Sequence, residues 1–460
     1  MSKPIRATEM SSSRWFIAPV LMLGLLAGCT VNQRAEVDTY RAVLDEHAPR
    51  ERVEAPSTEQ PLTLQHALYL ANQNDEQLSI RGEQYLQSLI ARARAANVFL
   101  PSVSASASHN LNVNGSTARN STSASVGGSI QVFNLRSIRN LEQARVLSEV
   151  SRLDLLDLQQ TVLLGVANSF YQVLTAEEQV RVLQNSLALR AEQLRDVEAR
   201  TRLGIARPLD LAQAQADESS TRVSLMQAQS NARQARTTLA FLLGLDYIDN
   251  PLADQFAPPT SPRPAIEFEQ DAVDHRLDLA AARRSVEVAS IGVKGAYAQY
   301  YPSVNLNTSF LLYSSAGSGN PWSLTASLLQ PVFDAAQTYQ DVRDALSGLR
   351  QSVMQQDRLA RQIHEDVTLA YEDFITSTSK LRELEISVTA AQRAYDLAVA
   401  QYRVGNASNL DQLTAQDQLL SAQLQLSNER FNQKLFYLNL LRVTGRFGLN
   451  TPSELGLGGT

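Results

Sequence analysis

The second half of this chain repeats its first at a nearly constant spacing, which constrains the fold more than any other feature of the sequence. Pro101 in AANVFLPSVSAS matches Pro302 in AYAQYYPSVNLN, Gly204 in RLGIARPLDL matches Gly405 in RVGNASNLDQ, and Gly244 in LAFLLG matches Gly445 in LLRVTG. The paired numbers differ by 201 each time. A duplication that holds one spacing over such a span means two copies of one structural unit. Two repeats therefore account for 460 residues better than two or three unrelated domains.

Each copy interrupts helical pattern with two strand-like stretches. Residues 102–132 carry little charge and alternate at Val103, Ala105 and Ala107, then again at Ala124, Val126, Gly128 and Ile130. Period two over this length is the strand signal, and Asn-Gly-Ser-Thr at 114–117 begins a loop. Strands are expected near 102–113 and 121–132, and in the second copy near 303–313 and 321–332. Strands of that length suit a tilted crossing of a bilayer, with an ordinary soluble hairpin as the other reading. Four strands are too few to close a barrel, and an open sheet in lipid leaves backbone groups unpaired. A membrane reading thus requires several chains to share one barrel.

From about Leu135 to Thr201 the pattern is almost continuously helical, roughly 100 Å at 1.5 Å per residue. Val166, Val173, Val180, Leu187 and Leu194 recur every seven residues, with Ser169, Ala176, Leu183 and Val197 alongside. The second copy keeps the seam as Val367, Phe374, Leu381, Val388, Tyr395 and Tyr402. A sustained seven-residue period holds an apolar stripe against a neighbouring helix in a left-handed supercoil. The long helices stop at Gly204 and Gly405 and return helices restart near Pro208 and Asn409, so tip turns are expected near 203–209 and 404–410.

The N-terminus has Lys3, Arg6 and Arg14 before an apolar stretch from Trp15 to Ala27, the form of a secretory signal. Leu26-Ala27-Gly28-Cys29 resembles a bacterial lipobox, which makes Cys29, the only cysteine, the expected lipidation site. Thr30 in place of aspartate favours the outer membrane. The organisation expected is a signal peptide at 1–28, a lipidated tether at 29–61, a first repeat at 62–244, a Pro-rich linker at 245–264, a second repeat at 265–445, and a tail at 446–460.

The chain as a whole resembles the TolC-like outer-membrane efflux proteins, in particular their lipid-anchored branch. The resemblance rests on the order helix, hairpin, long helix, tip and return helix. It rests also on Leu-Pro-Ser-Val and Tyr-Pro-Ser-Val at the strand entries, on Gln330-Pro331-Val332-Phe333 at the second exit, and on Tyr402-Arg403-Val404-Gly405 at the second tip. Pro101, Pro302 and Pro331 would mark the helix–strand junctions. The first exit, Gln131-Val132-Phe133, lacks the proline, and the spacing there is 200 at Phe133 and Phe333. The resemblance implies a mainly α fold: a long coiled-coil helical barrel continued by a twelve-stranded transmembrane β-barrel shared by a homotrimer, four strands per chain.

Asp210 and Asp411 occupy matching places in the two tips. One reading places each carboxylate in the first turn of a return helix, where exposed amides and the helix dipole favour it. The other uses threefold symmetry to gather the carboxylates around a pore mouth, where they would hold cations, with Arg207, Arg403 or Tyr402 bonding to keep it shut. The family's second aspartate is absent, since Thr414 stands in its place. The resemblance also puts the tips beside a periplasmic adaptor, making Gly204, Ile205 and Ala206 with Gly405, Asn406 and Ala407 candidate docking residues. Turn chemistry alone is the alternative for these six.

An enzyme is not indicated. His47, His66, His109, His275 and His364 are scattered without ligand spacing, and Gly317-Ser318-Gly319 lacks the Lys-Ser/Thr of a phosphate loop. No metal or cofactor is expected. A net charge of -6 argues against nucleic acid. The function implied is the exit duct of a tripartite efflux system, fed by an inner-membrane pump and its adaptor. The alternatives are the duct of a type I protein secretion or metal-ion export system, or a non-conducting coiled-coil periplasmic lipoprotein.

Overall fold

A computed structural model of the chain describes residues 32–46, 60–114, 117–259, 263–314 and 321–449. The expected signal peptide, Cys29, and the tail beyond residue 449 lie outside them. Among the described residues no helix is long and apolar enough to cross a membrane.

Each repeat begins with a short helix and a longer one. The first copy has β1 (Leu62–Thr63), α2 (Leu64–Asn74) and α3 (Glu76–Asn97); the second has α6 (Ala265–His275) and α7 (Leu277–Tyr297). The break between them falls at Asp75 and Arg276, again 201 apart, where the backbone turns extended. Asp75 caps α3 by accepting from the Leu78 N–H at 2.9 Å. The helical pattern of residues 62–98 is thus divided between two helices.

The strands are β2 (Ser102–Asn114), β3 (Thr117–Asn134), β5 (Ser303–Ser314) and β6 (Trp322–Leu329), in one antiparallel sheet of order β2-β3-β5-β6. Pro101 and Pro302 stand immediately before β2 and β5. β3 begins at Thr117 rather than near 121, because pairing with β2 continues to Asn114↔Thr117. β6 ends at Leu329 rather than near 332. Pro331 has no N–H to give a ladder, and Val332 and Phe333 stand 93% and 88% exposed beyond it.

From the sheet run α4 (Leu135–Arg202) and α8 (Gln337–Arg403), of 68 and 67 residues, so the tips lie about 100 Å from the strands. The return helices are α5 (Pro208–Leu242) and α9 (Asn409–Val443). All four helices end alike, with glycine at positive φ: Gly204, Gly244, Gly405 and Gly445 at 74°, 66°, 81° and 73°. Beyond each, the next N–H reaches five residues back, as in Ile205 to Arg200 at 2.8 Å and Arg446 to Leu441 at 2.9 Å.

The main core joins both copies midway along the long helices. Val166 and Val173 of α4 and their duplicates Val367 and Phe374 of α8 are fully buried in it. Tyr437 of α9 packs on Phe374 at 5.1 Å between ring centroids. Nearby, Leu62–Thr63 pairs in parallel with β4 (Leu252–Ala253) from the linker, which fastens the linker to the start of the first repeat.

The segment expected as a tether contains α1 (Gln33–Leu44), docked on α3 and α4. Tyr40 fills the space over Gly82, where an added Cβ would lie 2.3 Å from the ring. Arg41 donates to the Asn72 carbonyl at 3.0 Å, and Gln159 donates to the Leu44 carbonyl at 2.8 Å. Gly82→Ala is expected to displace Tyr40 and make the segment before Leu62 several-fold more sensitive to limited proteolysis. Unchanged protection would show that the polar contacts suffice to hold α1.

Candidate functional site

Two regions carry the features a conduit needs: the faces of the sheet and the helical tips. Strand register sorts the side chains. Val304, Leu306, Thr308 and Phe310 lie opposite Leu328, Ala326, Leu324 and Trp322 on one face. Across the central junction that face continues through Val126↔Phe310 and Ile130↔Leu306. The other face is mostly Ser, Asn and Thr, with Gly127, Gln131, Leu311 and Leu329 among them, and it carries hydroxyl pairs Ser106–Ser125 at 3.0 Å, Ser108–Ser123 at 2.9 Å and Ser309–Ser323 at 2.8 Å. No Asp, Glu, Lys or Arg occurs in residues 102–110, 121–133, 303–314 or 322–329.

A β-bulge keeps the apolar face continuous. β3 pairs Gln131↔Asn305 and then Phe133↔Val304, skipping Val132. One extra residue reverses the parity, so Phe133 joins Val304 on the apolar side. Aromatic residues stand at both ends of that face, Phe133 at the helix side and Phe310, Tyr313 and Trp322 at the other, with Tyr300 and Tyr301 just ahead of β5. From Val304 to Tyr313 the strand covers about 30 Å. At a tilt near 40° that gives a band about 23 Å tall, the dimension of an apolar belt between aromatic girdles.

The register also corrects where the duplicate loses a residue. Val103↔Gly128 in the first hairpin corresponds to Val304↔Leu328 in the second, so the spacing is already 200 along the second strand. The difference therefore lies in the hairpin turn, not at the exit, and Pro331 takes the place of Gln131.

At the second tip Ser408 and Asp411 form a reciprocal capping box. Ser408 donates through its backbone N–H at 2.8 Å and its hydroxyl at 2.7 Å to Asp411 Oδ2, and the Asp411 N–H donates to Ser408 Oγ at 3.2 Å. At the first tip the cap residue is Arg207. Its N–H and Nε donate to Asp210 Oδ2 at 3.2 Å each, and its Nη2 donates to Oδ1 at 2.8 Å. The Arg207 fork holds the Asp210 carboxyl below the usual range, and the Ser408 hydroxyl does the same for Asp411. A lowered carboxylate pKa stabilises the fold above the unfolded value of 3.8 and loses that contribution as pH falls through the folded value. Tip stability is accordingly expected to be flat from pH 8 to about 5 and to decline only below about 4, as read from melting curves of the wild type against Asp411→Asn.

The structure ties Arg207 to Asp210 within one turn. Arg403 makes no ion pair among the described residues. Tyr402 lies under the Arg200 guanidinium, 4.8 Å from its ring centroid, so it links α8 to α4. The six candidate docking residues form the two turns; Ile205 among them is 70% exposed, and bare apolar side chains flank them, Leu203 at 74%, Val404 at 71% and Leu410 at 59%. Gly204 and Gly405 have open space around them, so only their positive φ demands glycine.

Behind the tips, α4 and α9 meet along a polar seam absent from the sequence reading. Arg190, 5% exposed, pairs with Asp417 of α9 and lies 3.9 Å from Asp217 of α5. Gln193 donates to Asn409 Oδ1 at 3.0 Å and Gln179 to Asn428 Oδ1 at 2.8 Å. Arg190 continues the buried series Ser169, Ala176, Leu183 and Val197, while Val180, Leu187 and Leu194 are only half-buried. Its place in a seven-residue series was the signal available in the sequence.

A two-faced sheet with both edges open, joined through long paired helices to two capped tips and doubled within one chain, defines the class: a subunit of a membrane-embedded tube. The model of the outer membrane efflux protein family matches residues 67–245 and 269–446, and the chain belongs to that family. It is 23% identical over 401 residues to the outer membrane protein TolC of Vibrio cholerae, covering 84% of this chain and 92% of that one. It is 24% identical over 306 residues to the outer membrane efflux protein BepC of Brucella suis, covering 63% of this chain and 65% of that one. Among solved structures, the outer-membrane channel OprN superposes with a TM-score of 0.74 at 22% identity over 88% of this chain and 96% of that one. The outer membrane protein VceC from Vibrio cholerae gives 0.73 at 18% identity over 83% and 96%.

Proposed function

We propose that the protein is the outer-membrane exit duct of a tripartite efflux system, passively conducting small molecules from an inner-membrane pump and periplasmic adaptor to the exterior. Three copies close a twelve-stranded barrel and continue it as a helical tube through the periplasm, with Cys29 lipidated in the outer membrane. The observation that carries this reading is the sheet: an apolar face bounded by aromatic residues, a neutral hydroxyl face, and open edges at β2 and β6 that lipid does not tolerate. The neutral face would line the water-filled lumen. Charge selection would then fall to Asp210 and Asp411, and docking of the adaptor to the tip turns and the apolar residues beside them.

Purified protein in planar lipid bilayers should give discrete ion-conducting steps, and cells lacking it should accumulate a fluorescent pump substrate. A protein that conducts nothing and stays in solution once its lipid is removed would be the periplasmic spacer instead. Asp210→Asn together with Asp411→Asn is expected to reduce cation-over-anion permeability by several-fold while leaving assembly intact, measured from reversal potentials in a salt gradient. Unchanged selectivity would leave both carboxylates as helix caps alone.

A further inference from the structure

The strand register of one chain specifies how two chains meet. Moving β2 by 201 residues and β3 by 200 turns the first hairpin's pairs into the second's, as Ser106↔Ser125 becomes Asn307↔Thr325. The central contact between β3 and β5 joins the first copy's hairpin to the second's: Ser125↔Leu311, Val126↔Phe310, Gly127↔Ser309, Gly128↔Thr308 and Ser129↔Asn307. The two free edges are the same kinds of strand in the same order, with β6 as the duplicate of β3 and β2 as the duplicate of β5.

We infer that β6 of one copy pairs antiparallel with β2 of a second copy in the register the internal junction dictates: Thr325 opposite Asn110, Ala326 opposite His109, Ser327 opposite Ser108, Leu328 opposite Ala107, and Leu329 opposite Ser106. This rests on the shared-barrel reading above and adds the register to it. Two further observations agree with this placement. Ser327 and Ser108 both stand on the hydroxyl face, and Leu328 and Ala107 both stand on the apolar one. A slip of one residue would put every β6 side chain against the wrong face. In addition, Ser108 already pairs with Ser123 at 2.9 Å, so Ser327 extends that hydroxyl row across the junction. The same register sets Pro331 opposite Ser104, where the ladder fails for want of an N–H. That is where β6 ends and Val332 and Phe333 stand clear.

A slip of two residues keeps the faces, so the test has to separate Ser108 from Ser106 and Asn110. Directly opposed residues bring their Cβ atoms to about 5 Å, whereas diagonal neighbours lie about 7–8 Å apart, beyond a disulfide. Full-length protein in outer membranes carrying Ser327→Cys with Ser108→Cys should give covalent dimers and trimers on copper-phenanthroline oxidation. Ser327→Cys with Ser106→Cys, or with Asn110→Cys, should give several-fold less. Thr325→Cys with Asn110→Cys samples the same register at a second pair. Preferential cross-linking at Ser106, or at Asn110 from Ser327, overturns the register, as does a trimer that cross-links at none of these pairs. Unoxidised wild type that runs as a monomer in mild detergent overturns the shared barrel itself.

Discussion

Leu306→Arg should abolish the heat-resistant assembled form in outer-membrane fractions, while Asn307→Arg, one residue along the same strand, should preserve it. Leu306 lies near the middle of the apolar face, opposite Ala326 and Ile130, and Asn307 lies on the hydroxyl face opposite Thr325 and Ser129. An arginine facing lipid at the bilayer midplane costs about 2–4 kcal/mol per chain, and one facing water in the lumen costs little. The same Asn307→Arg protein should shift permeability toward anions, because around Asn307 the face it joins is neutral, with no Asp, Glu, Lys or Arg in residues 102–110, 121–133, 303–314 or 322–329. Equal loss of assembly in both variants would mean that the sheet does not separate lipid from water, and the membrane reading would fall with it.

The second large effect distinguishes glycines that look alike in the sequence. Gly204→Ala and Gly445→Ala both place a side chain at positive φ, which costs about 1–2 kcal/mol. At Gly204 nothing lies within 4 Å of the added Cβ. At Gly445 it would meet the His275 carbonyl carbon and oxygen at 2.6 Å and the Arg276 nitrogen at 2.8 Å, backbone atoms that cannot swing aside. The close approach seats the end of α9 on the break between α6 and α7. Gly445→Ala is expected to cost about 3 kcal/mol, near the upper end of ordinary single substitutions, with a marked fall in melting temperature. Gly204→Ala should move it only slightly, and equal shifts would refute the packing argument.

The duplication, the alternation in residues 102–132, and the glycine-to-proline or glycine-to-serine steps at the tips were legible because each is local chemistry repeated twice. The breaks at Asp75 and Arg276 were not, since neither neighbour is Gly or Pro and helical pattern resumes at once. β1 and β4 have two residues each, too few for any period. The Arg207–Asp210 pair shows in the sequence only as a spacing of three, compatible with helix capping or with bonding at a pore mouth, and within the chain the two side chains meet in one turn. The bulge at Val132 depends on pairing with a strand 170 residues away, and no local pattern announces it.

The ion pair at Arg190 gives the molecule a mechanical grain. The residue that duplicates Arg190 is Ala391, on a face of α8 that borders an open groove of about 660 Å³ with Ala390, Ala394 and Ser421. Within one chain the two helical hairpins are riveted by a guanidinium, and at the duplicate position there is only a methyl group. In a tube assembled from such chains, the guanidinium rivet would lie within each chain, and no arginine would stand at the duplicate position beside the next chain. Dilation of such a tube would then be expected to open between chains before it parts the two hairpins of one chain.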